Sequence, residues 1–168
     1  MTATETDIAD IVQTVTTAFF GVEAAVLPSI PPPQHTGTSE MLVGCVTVDG
    51  AWRGAVTVSC PRRLATRIAA VMFGCDETKV TPECSRDALC EMTNVVGGNI
   101  KSLFASVADE ACHLSLPIAS EGGVSFPGAR VVHHLRFNVG ADTLRVTVLE
   151  VPTSRAPAAG GAPCESYS

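Results

Sequence analysis

The chain has 168 residues, of which 46% are hydrophobic and 17% charged, and its formal net charge is -6. That length is enough for one domain with its own core, and 17 Asp and Glu against 11 Lys and Arg argue against a basic nucleic-acid-binding surface. No apolar run approaches the ~20 residues that span a bilayer, and the acidic segment 1–10 is not typical of a secretory signal. The seven cysteines include no CxxC pair and are expected to be reduced thiols. These features predict a cytoplasmic protein without nucleic-acid or membrane partners.

The first half of the chain predicts a helix followed by a hairpin. Apolar residues recur at helical spacing from Glu5 to Leu27, and the prolines that follow, from Pro28 onward, end the helix. Two β-rich runs, 41–48 and 51–60, flank Asp49-Gly50, a pair that suits a tight two-residue turn. In the second run apolar and polar residues alternate, so one face of the sheet is expected to be buried.

The second half predicts two helices and then three strands. One helix begins at Pro61 and ends near Phe73, before Gly74, and the next begins at Thr81-Pro82 or Ser85 and reaches about Ala105. The predicted strands cover residues 112–119, 129–139 and 143–151. The order α-β-β-α-α-β-β-β indicates an α+β fold, in which helices cover one face of a largely antiparallel sheet.

This domain is expected to occupy residues 1–151. The remaining residues, 152–168, are rich in Ala, Pro, Gly and Ser and have no periodicity, so they are expected to be a disordered tail.

The third helix has an unusual outer face. On a helical wheel its core side is formed by Ala88, Leu89, Met92, Val96, Ile100 and Leu103. The opposite side carries Asp87, Glu91, Asn94, Gly98 and Lys101. Asn94 and the pair Gly97-Gly98 are weak helix formers, and each glycine costs about 1 kcal/mol relative to alanine. A helix that only packs has no need of them, whereas a glycine one turn beyond Asn94 leaves room for a partner.

Glu91 and Asn94 lie three residues apart, so their side chains project together from the helix. A carboxylate can pair with a lysine on a partner protein. A carboxamide both donates and accepts hydrogen bonds, so it can orient a water molecule for in-line attack, although it is not itself a base. This pair is suited to completing a half-built hydrolytic site on another molecule.

The pattern Asp87-x3-Glu91-x2-Asn94, separated by 22 residues from Pro117, resembles the signature of the CheC/CheX/FliY phosphatases of bacterial chemotaxis. The element order is also similar to that of CheX, and the resemblance covers residues 5–151. It implies that the helix docks on a phosphorylated response-regulator receiver domain such as CheY, whose aspartyl phosphate is then hydrolysed. CheC-like members carry two such motifs, but the segment Arg62–Phe73 contains no acidic residue or Asn, so this chain is nearer to CheX.

The resemblance also assigns roles to individual residues. It implies that Glu91 contacts the active-site lysine of the receiver and that Asn94 holds the attacking water. Asp87 and Pro117 are structural members of the motif, and the receiver supplies its own Mg²⁺, so this chain needs no cofactor. Asp87 is also expected at the partner surface, together with Gly98 and Lys101, although an ordinary surface position is the better expectation for Lys101.

Other residues are expected to be structural. Gly97 belongs to this group, and Asn99 falls toward the core face of the wheel, where a hydrogen-bonded Asn is expected. His133 and His134 are adjacent in a predicted strand, so they point to opposite faces and cannot hold one metal ion. Two alternatives to a phosphatase remain: a non-catalytic adaptor that binds a receiver through the same helix, and a scaffold in which this helix face forms a homodimer.

Overall fold

One antiparallel sheet and three α-helices make up the part of the chain that the computed structural model describes, residues 3–30, 40–105 and 111–151. The elements in chain order are α1 (Glu5–Phe20), β1 (Ala25–Leu27), β2 (Met41–Gly50), β3 (Gly54–Pro61), α2 (Arg62–Phe73), a 3-10 turn (Glu77–Lys79), α3 (Pro82–Ala105), β4 (Cys112–Leu114), β5 (Ile118–Glu121), β6 (Arg130–Val139) and β7 (Asp142–Glu150). The sheet order is β1-β6-β7-β3-β2, and both β4 and β5 pair with β2. The predicted α+β class and the predicted element order are confirmed. Two details differ: β1 is an additional strand, and the strand predicted over residues 112–119 is divided into β4 and β5.

The helices bury one face of the sheet. Alternate residues of the three central strands, such as Val46, Val56 and Val146, are 0% exposed and form one apolar cluster with side chains of α1, α2 and α3. We call this the helix face of the sheet. The opposite face, which we call the outer face, carries the intervening residues, many of them polar, such as Thr57 and Arg145. The helix face is the apolar core side, as the alternating pattern predicted, but the outer face is also buried along β2 and β3, where Val43, Cys45, Ala55 and Ser59 are at most 8% exposed.

Short local signals fix where the helices begin and end. Thr4 and Asp7 form a capping box at the start of α1, in which the Asp7 amide donates to Thr4 Oγ1 and the Thr4 amide donates to the Asp7 carboxylate. Gly21 (φ 61°) and Gly74 (φ 60°) end α1 and α2 in the left-handed conformation, which glycine adopts without strain. No helix in the described ranges is both long enough and apolar enough to span a membrane.

The predicted length of the first helix is wrong. The helix ends at Phe20, because Gly21 turns the chain and its amide donates to the carbonyl of Thr16. Residues 25–27, predicted as helix, instead form the edge strand β1 and pair with β6. Val26, one of the apolar residues at helical spacing, is 49% exposed. The prediction was too long because the apolar residues at helical spacing continue beyond Gly21, the glycine that ends the helix.

The predicted Asp49-Gly50 turn is also wrong. Gly50 pairs with Cys112 of β4, and residues 51–53 form the connection between β2 and β3. The Gly50 backbone (φ 134°) passes so close to β4 that a Cβ atom there would lie 2.3 Å from the carbonyl oxygen of Ala111. Trp52, which falls within the run predicted as a strand, lies in the connection instead, where it is 8% exposed and stacks on Phe104 with ring centroids 4.3 Å apart.

The predicted strand 112–119 is divided into β4 and β5. Residues 115–117 separate them, and Ser115 bonds twice to Thr47: its amide donates to the Thr47 carbonyl and its hydroxyl accepts from the Thr47 amide, both at 2.9 Å. Pro117 lacks an N–H and therefore cannot continue the ladder. The predicted tail, 152–168, lies outside the described residues.

Candidate functional site

The helix α3 is seated directly on β2, which decides which of its faces is free. A Cβ atom at Gly44 would lie 2.1 Å from Thr93 Oγ1, and one at Gly97 would lie 2.4 Å from Val46 Cγ2. Backbone and small side chains therefore meet where helix and strand cross. The residues predicted for the core side are buried as expected: Ala88, Leu89, Met92, Val96 and Ile100 are at most 1% exposed, and Leu103 packs against their cluster.

The opposite side of α3 carries the predicted stripe of functional residues. Asp87 and Glu91 are exposed, and Asn94, Gly98 and Lys101 are half-buried. In the described part of the chain, neither Glu91 nor Asn94 has a side-chain hydrogen bond or an ion pair. A carboxylate and a carboxamide therefore stand side by side with no partner among the residues that the structure describes. We call Asp87, Glu91, Asn94 and Gly98 the docking stripe.

The strands β4 and β5 border the docking stripe. At one end Arg86 of α3 donates to the carboxylate of Glu121 in β5 at 2.8 Å. At the other end the nearest atom to a Cβ built on Gly98 is Leu114 Cδ2, at 4.0 Å. Residues 86–98 of the helix rise about 18 Å, and residues 114–121 of the strands span about 23 Å. The two segments therefore run side by side, and the residues around Pro117 lie beside the middle of α3, where Glu91 and Asn94 project.

Two large apolar side chains flank Pro117 and are open to solvent. Leu116 is 87% exposed and Ile118 is 56% exposed. Ile118 pairs with Cys45, which points to the outer face, so the Ile118 side chain projects away from the docking stripe, whereas Leu116 stands in the 115–117 connection at the edge beside α3. The sequence reasoning missed both residues. The available signal was an apolar residue on each side of the motif proline, in a segment interpreted as one continuous strand.

An ion-pair network at the start of α3 controls the charge near the docking stripe. Glu121 pairs with Arg62 of α2 at 2.5 Å and with Arg86 at 2.8 Å, and Arg86 also lies 3.6 Å from Glu83. The hydrogen bond from Arg62, supported by that from Arg86, lowers the pKa of the Glu121 carboxyl group. Arg86 is thus held by Glu121 and Glu83, and among the described residues no ion pair joins it to Asp87 or Glu91.

The remaining predicted residues lie in several environments. Asn99 was predicted to face the core but is exposed, and its Nδ2 donates to the Val95 carbonyl at 2.8 Å. The hydrogen bond was expected, but the exposed position was not. Asn99 is exposed because α1 packs beside α3 and leaves a groove, which Asn99 and Val95 line. Lys101 continues the line of the docking stripe. Cys90 lies next to Glu91, and partial burial, reinforced by the charge of Asp87, raises the pKa of its thiol.

Metal-ligand geometry is not found in the described ranges, where no three His, Cys, Asp or Glu residues lie together as a metal site requires. His133 and His134 point to opposite faces of the sheet: His133 pairs with Val148 on the helix face and His134 with Thr147 on the outer face.

Comparisons with known proteins identify a family and similar folds. A family model described as chemotaxis phosphatase CheX matches residues 42–125, half of the chain, and this range contains the docking stripe and Pro117. A chemotaxis protein CheX from Vibrio vulnificus is similar in structure, with a TM-score of 0.68 and 19% identity over 87% of this chain and 95% of that one. No curated protein matches the sequence.

Two further solved structures share the fold. In a CheX-CheY-BeF3-Mg²⁺ complex from Borrelia burgdorferi, the matching chain has a TM-score of 0.69 and 16% identity over 86% of this chain and 96% of that one. FliY from Thermotoga maritima has a TM-score of 0.57 and 15% identity over 90% and 92% of the two chains. At these identities the likeness concerns the fold.

Proposed function

Because the chain belongs to the CheX family of chemotaxis phosphatases, we propose that it hydrolyses the aspartyl phosphate of a response-regulator receiver domain, into whose active site α3 inserts Glu91 and Asn94. The observation that carries this proposal is the docking stripe. Its carboxylate and carboxamide are one helical turn apart, on the side of α3 opposite its core side, and have no partner among the described residues. The groups that the reaction requires are therefore free to meet a second protein.

The chemistry divides between the two residues. The Asn94 carboxamide accepts a hydrogen bond from a water molecule and aligns its oxygen with the phosphorus. As the water oxygen bonds to phosphorus, the bond between phosphorus and the aspartyl oxygen breaks, and its electron pair remains on the receiver carboxylate. The water protons pass to the released phosphate and to solvent. Glu91 pairs with a lysine beside the phosphoryl group and thereby fixes the position of the helix.

The receiver supplies the Mg²⁺ in this proposal. A CheX structure was solved together with CheY, BeF3 and Mg²⁺, which supports a partner of this class and a metal at the receiver site. Mg²⁺ neutralises charge on the transferring phosphoryl group, while the chain described here adds only the water-orienting amide and the lysine-pairing carboxylate.

The edge beside the docking stripe completes the proposed interface. Leu116 stands in the 115–117 connection beside α3, and its burial on docking would remove from solvent a side chain that is 87% exposed. A receiver that fits this surface has a lysine at its phosphorylation site and apolar residues next to it. The polar groups then set the register, and the apolar groups contribute affinity.

The test uses the full chain and phosphorylated receiver domains encoded in the same genome. Release of inorganic phosphate is followed with and without the chain. We expect loss of the phosphoryl group from at least one receiver to accelerate well beyond its own decay. Binding without acceleration contradicts the proposal and identifies an adaptor. A stable dimer that fails to dissociate when receiver is added identifies the docking stripe as a homodimer contact.

A further inference from the structure

Two arginines face each other across the outer face of the sheet. Arg136 of β6 is the direct cross-strand partner of Arg145 of β7. Like charges in directly opposite positions of an antiparallel pair are destabilising. No carboxylate lies within 4.0 Å of either guanidinium group in the described ranges. The other six described arginines all have such a partner: Arg53, Arg62, Arg63, Arg67, Arg86 and Arg130.

The same pair has unfilled hydrogen-bonding capacity. Both side chains are half-buried, and Arg136 Nε is shielded from solvent without a hydrogen-bond partner. The polar contact of Arg145 is a weak one, 3.8 Å from Nη1 to Met41 Sδ. A guanidinium group buried to this extent ordinarily has an acceptor, because an unpaired donor loses its hydration without compensation.

His134 adds a third donor to this surface. It lies two residues before Arg136 on the same face, is 7% exposed, and its Nδ1 is 2.9 Å from Thr147 Oγ1. Its Nε2 is buried and unpartnered. Burial, followed by the charges of Arg145 and Arg136, lowers the pKa of the imidazole, so the ring is neutral at pH 7. When the Thr147 hydroxyl donates to Nδ1, the proton of the neutral ring lies on Nε2, which is then an unfilled donor.

We propose that Arg136, Arg145 and His134 form a binding site for a small dianionic oxyanion of the phosphate class. Two guanidinium groups and a neutral imidazole carry a charge of about +2, which a dianion balances and a single carboxylate does not. Guanidinium forks match the oxygens of a phosphate group. The site lies on the outer face, whereas the docking stripe belongs to a helix on the helix face. The bound anion is therefore separate from the phosphoryl group of the proposed reaction.

The test measures the binding of inorganic phosphate to the full chain by calorimetry, at a pH of about 8, where phosphate is a dianion, and at constant ionic strength. Arg136→Gln and Arg145→Gln are compared with Arg53→Gln, a control in which an arginine outside the pair, bonded to Asp49 at 2.8 Å, is removed. We expect about a tenfold or greater loss of affinity in each site variant, since each removes a charge-assisted pair, and no loss in the control. Without phosphate, Arg145→Gln should be at least as stable as the wild type, because the repulsion is removed.

Nuclear magnetic resonance of the histidine rings locates the anion without any variant. Phosphate should shift the His134 ring signals and raise the pKa of His134, because a bound dianion offsets the two neighbouring positive charges. Failure of the wild type to bind phosphate overturns the proposal. So does binding that leaves the His134 signals unchanged, or acetate binding as tightly as phosphate. Loss of receiver dephosphorylation has no bearing on this site, so the two proposals can fail separately.

Discussion

Gly97 and Gly98 are adjacent in α3 but are expected to respond oppositely to the same substitution. A Cβ atom at Gly97 would lie 2.4 Å from Val46 Cγ2, whereas the nearest atom to a Cβ at Gly98 is Leu114 Cδ2, at 4.0 Å. Val46 is 0% exposed and lies in a central strand, and its branched side chain has little rotameric freedom to move away. Gly97→Ala therefore overpacks the contact between helix and sheet, and Gly98→Ala meets open space.

The size of the difference follows from these two distances. Replacing a mid-helix glycine by alanine favours the helix by about 1 kcal/mol at either position, so this contribution cancels when the two variants are compared. Overpacking a well-filled core costs about 1–3 kcal/mol. Gly98→Ala should raise the free energy of unfolding, and Gly97→Ala should lie about 1–3 kcal/mol below it. For a chain of this length the corresponding difference in thermal midpoint is roughly 2–12 °C.

Thermal and urea unfolding of the two variants measure this difference directly. The double variant Gly97→Ala/Val46→Ala supplies the control, because it removes the methyl group that the new Cβ would meet. The two substitutions should then be less destabilising together than the sum of their separate effects. Equal stability of Gly97→Ala and Gly98→Ala, or strict additivity in the double variant, would refute the packing that we describe.

Three further predictions concern the docking surface. Gly98→Leu should keep the circular dichroism spectrum and raise the Kd for the phosphorylated receiver, because a large side chain would stand one turn from Asn94; tight binding with normal turnover would place the interface elsewhere. Leu116→Ser should leave the free energy of unfolding within about 0.5 kcal/mol of the wild type, as expected for an 87% exposed residue, yet weaken receiver binding; unchanged affinity would remove Leu116 from the interface. Chelation with EDTA should stop dephosphorylation while the thermal midpoint of the isolated chain stays constant, and a midpoint that falls would indicate a metal in this chain.

The third helix could be predicted well because its apolar pattern is local in sequence and extends over many residues. Its core side and its docking stripe both follow from the 3.6-residue period over 24 residues, which a few irregular positions do not obscure. The first helix was predicted too long for the opposite reason. The apolar residues after Gly21 serve a short edge strand, and their pairing with β6 is a tertiary contact that no local period reveals. Asp49-Gly50 likewise suits a turn when only the local sequence is considered. Its pairing with β4 is a long-range contact, which the local sequence does not reveal.

The composition of the candidate site was predictable, but its surroundings were not. Glu91 and Asn94 project together because of helix geometry alone. The position of Pro117 beside them depends on two long-range contacts, the bond from Arg86 to Glu121 and the approach of Leu114 to Gly98. The facing of the outer-face arginines was missed because the predicted strands left a three-residue connection, 140–142, whereas Val139 pairs with Asp142 across two residues and so sets Arg136 opposite Arg145.

The central claim is that Asn94 orients the water that attacks a receiver's aspartyl phosphate. The measurement is the rate of phosphate loss from a verified receiver at saturating concentrations of the wild type, Asn94→Ala and Glu91→Ala, together with the Kd of each. Asn94→Ala should reduce the accelerated rate by about 10²-fold or more, as loss of a positioned polar group does, while the Kd stays near that of the wild type. Glu91→Ala should also raise the Kd, because it removes the carboxylate that meets the lysine. Equal turnover by the wild type and Asn94→Ala would contradict the catalytic role and leave the chain as a receiver-binding adaptor.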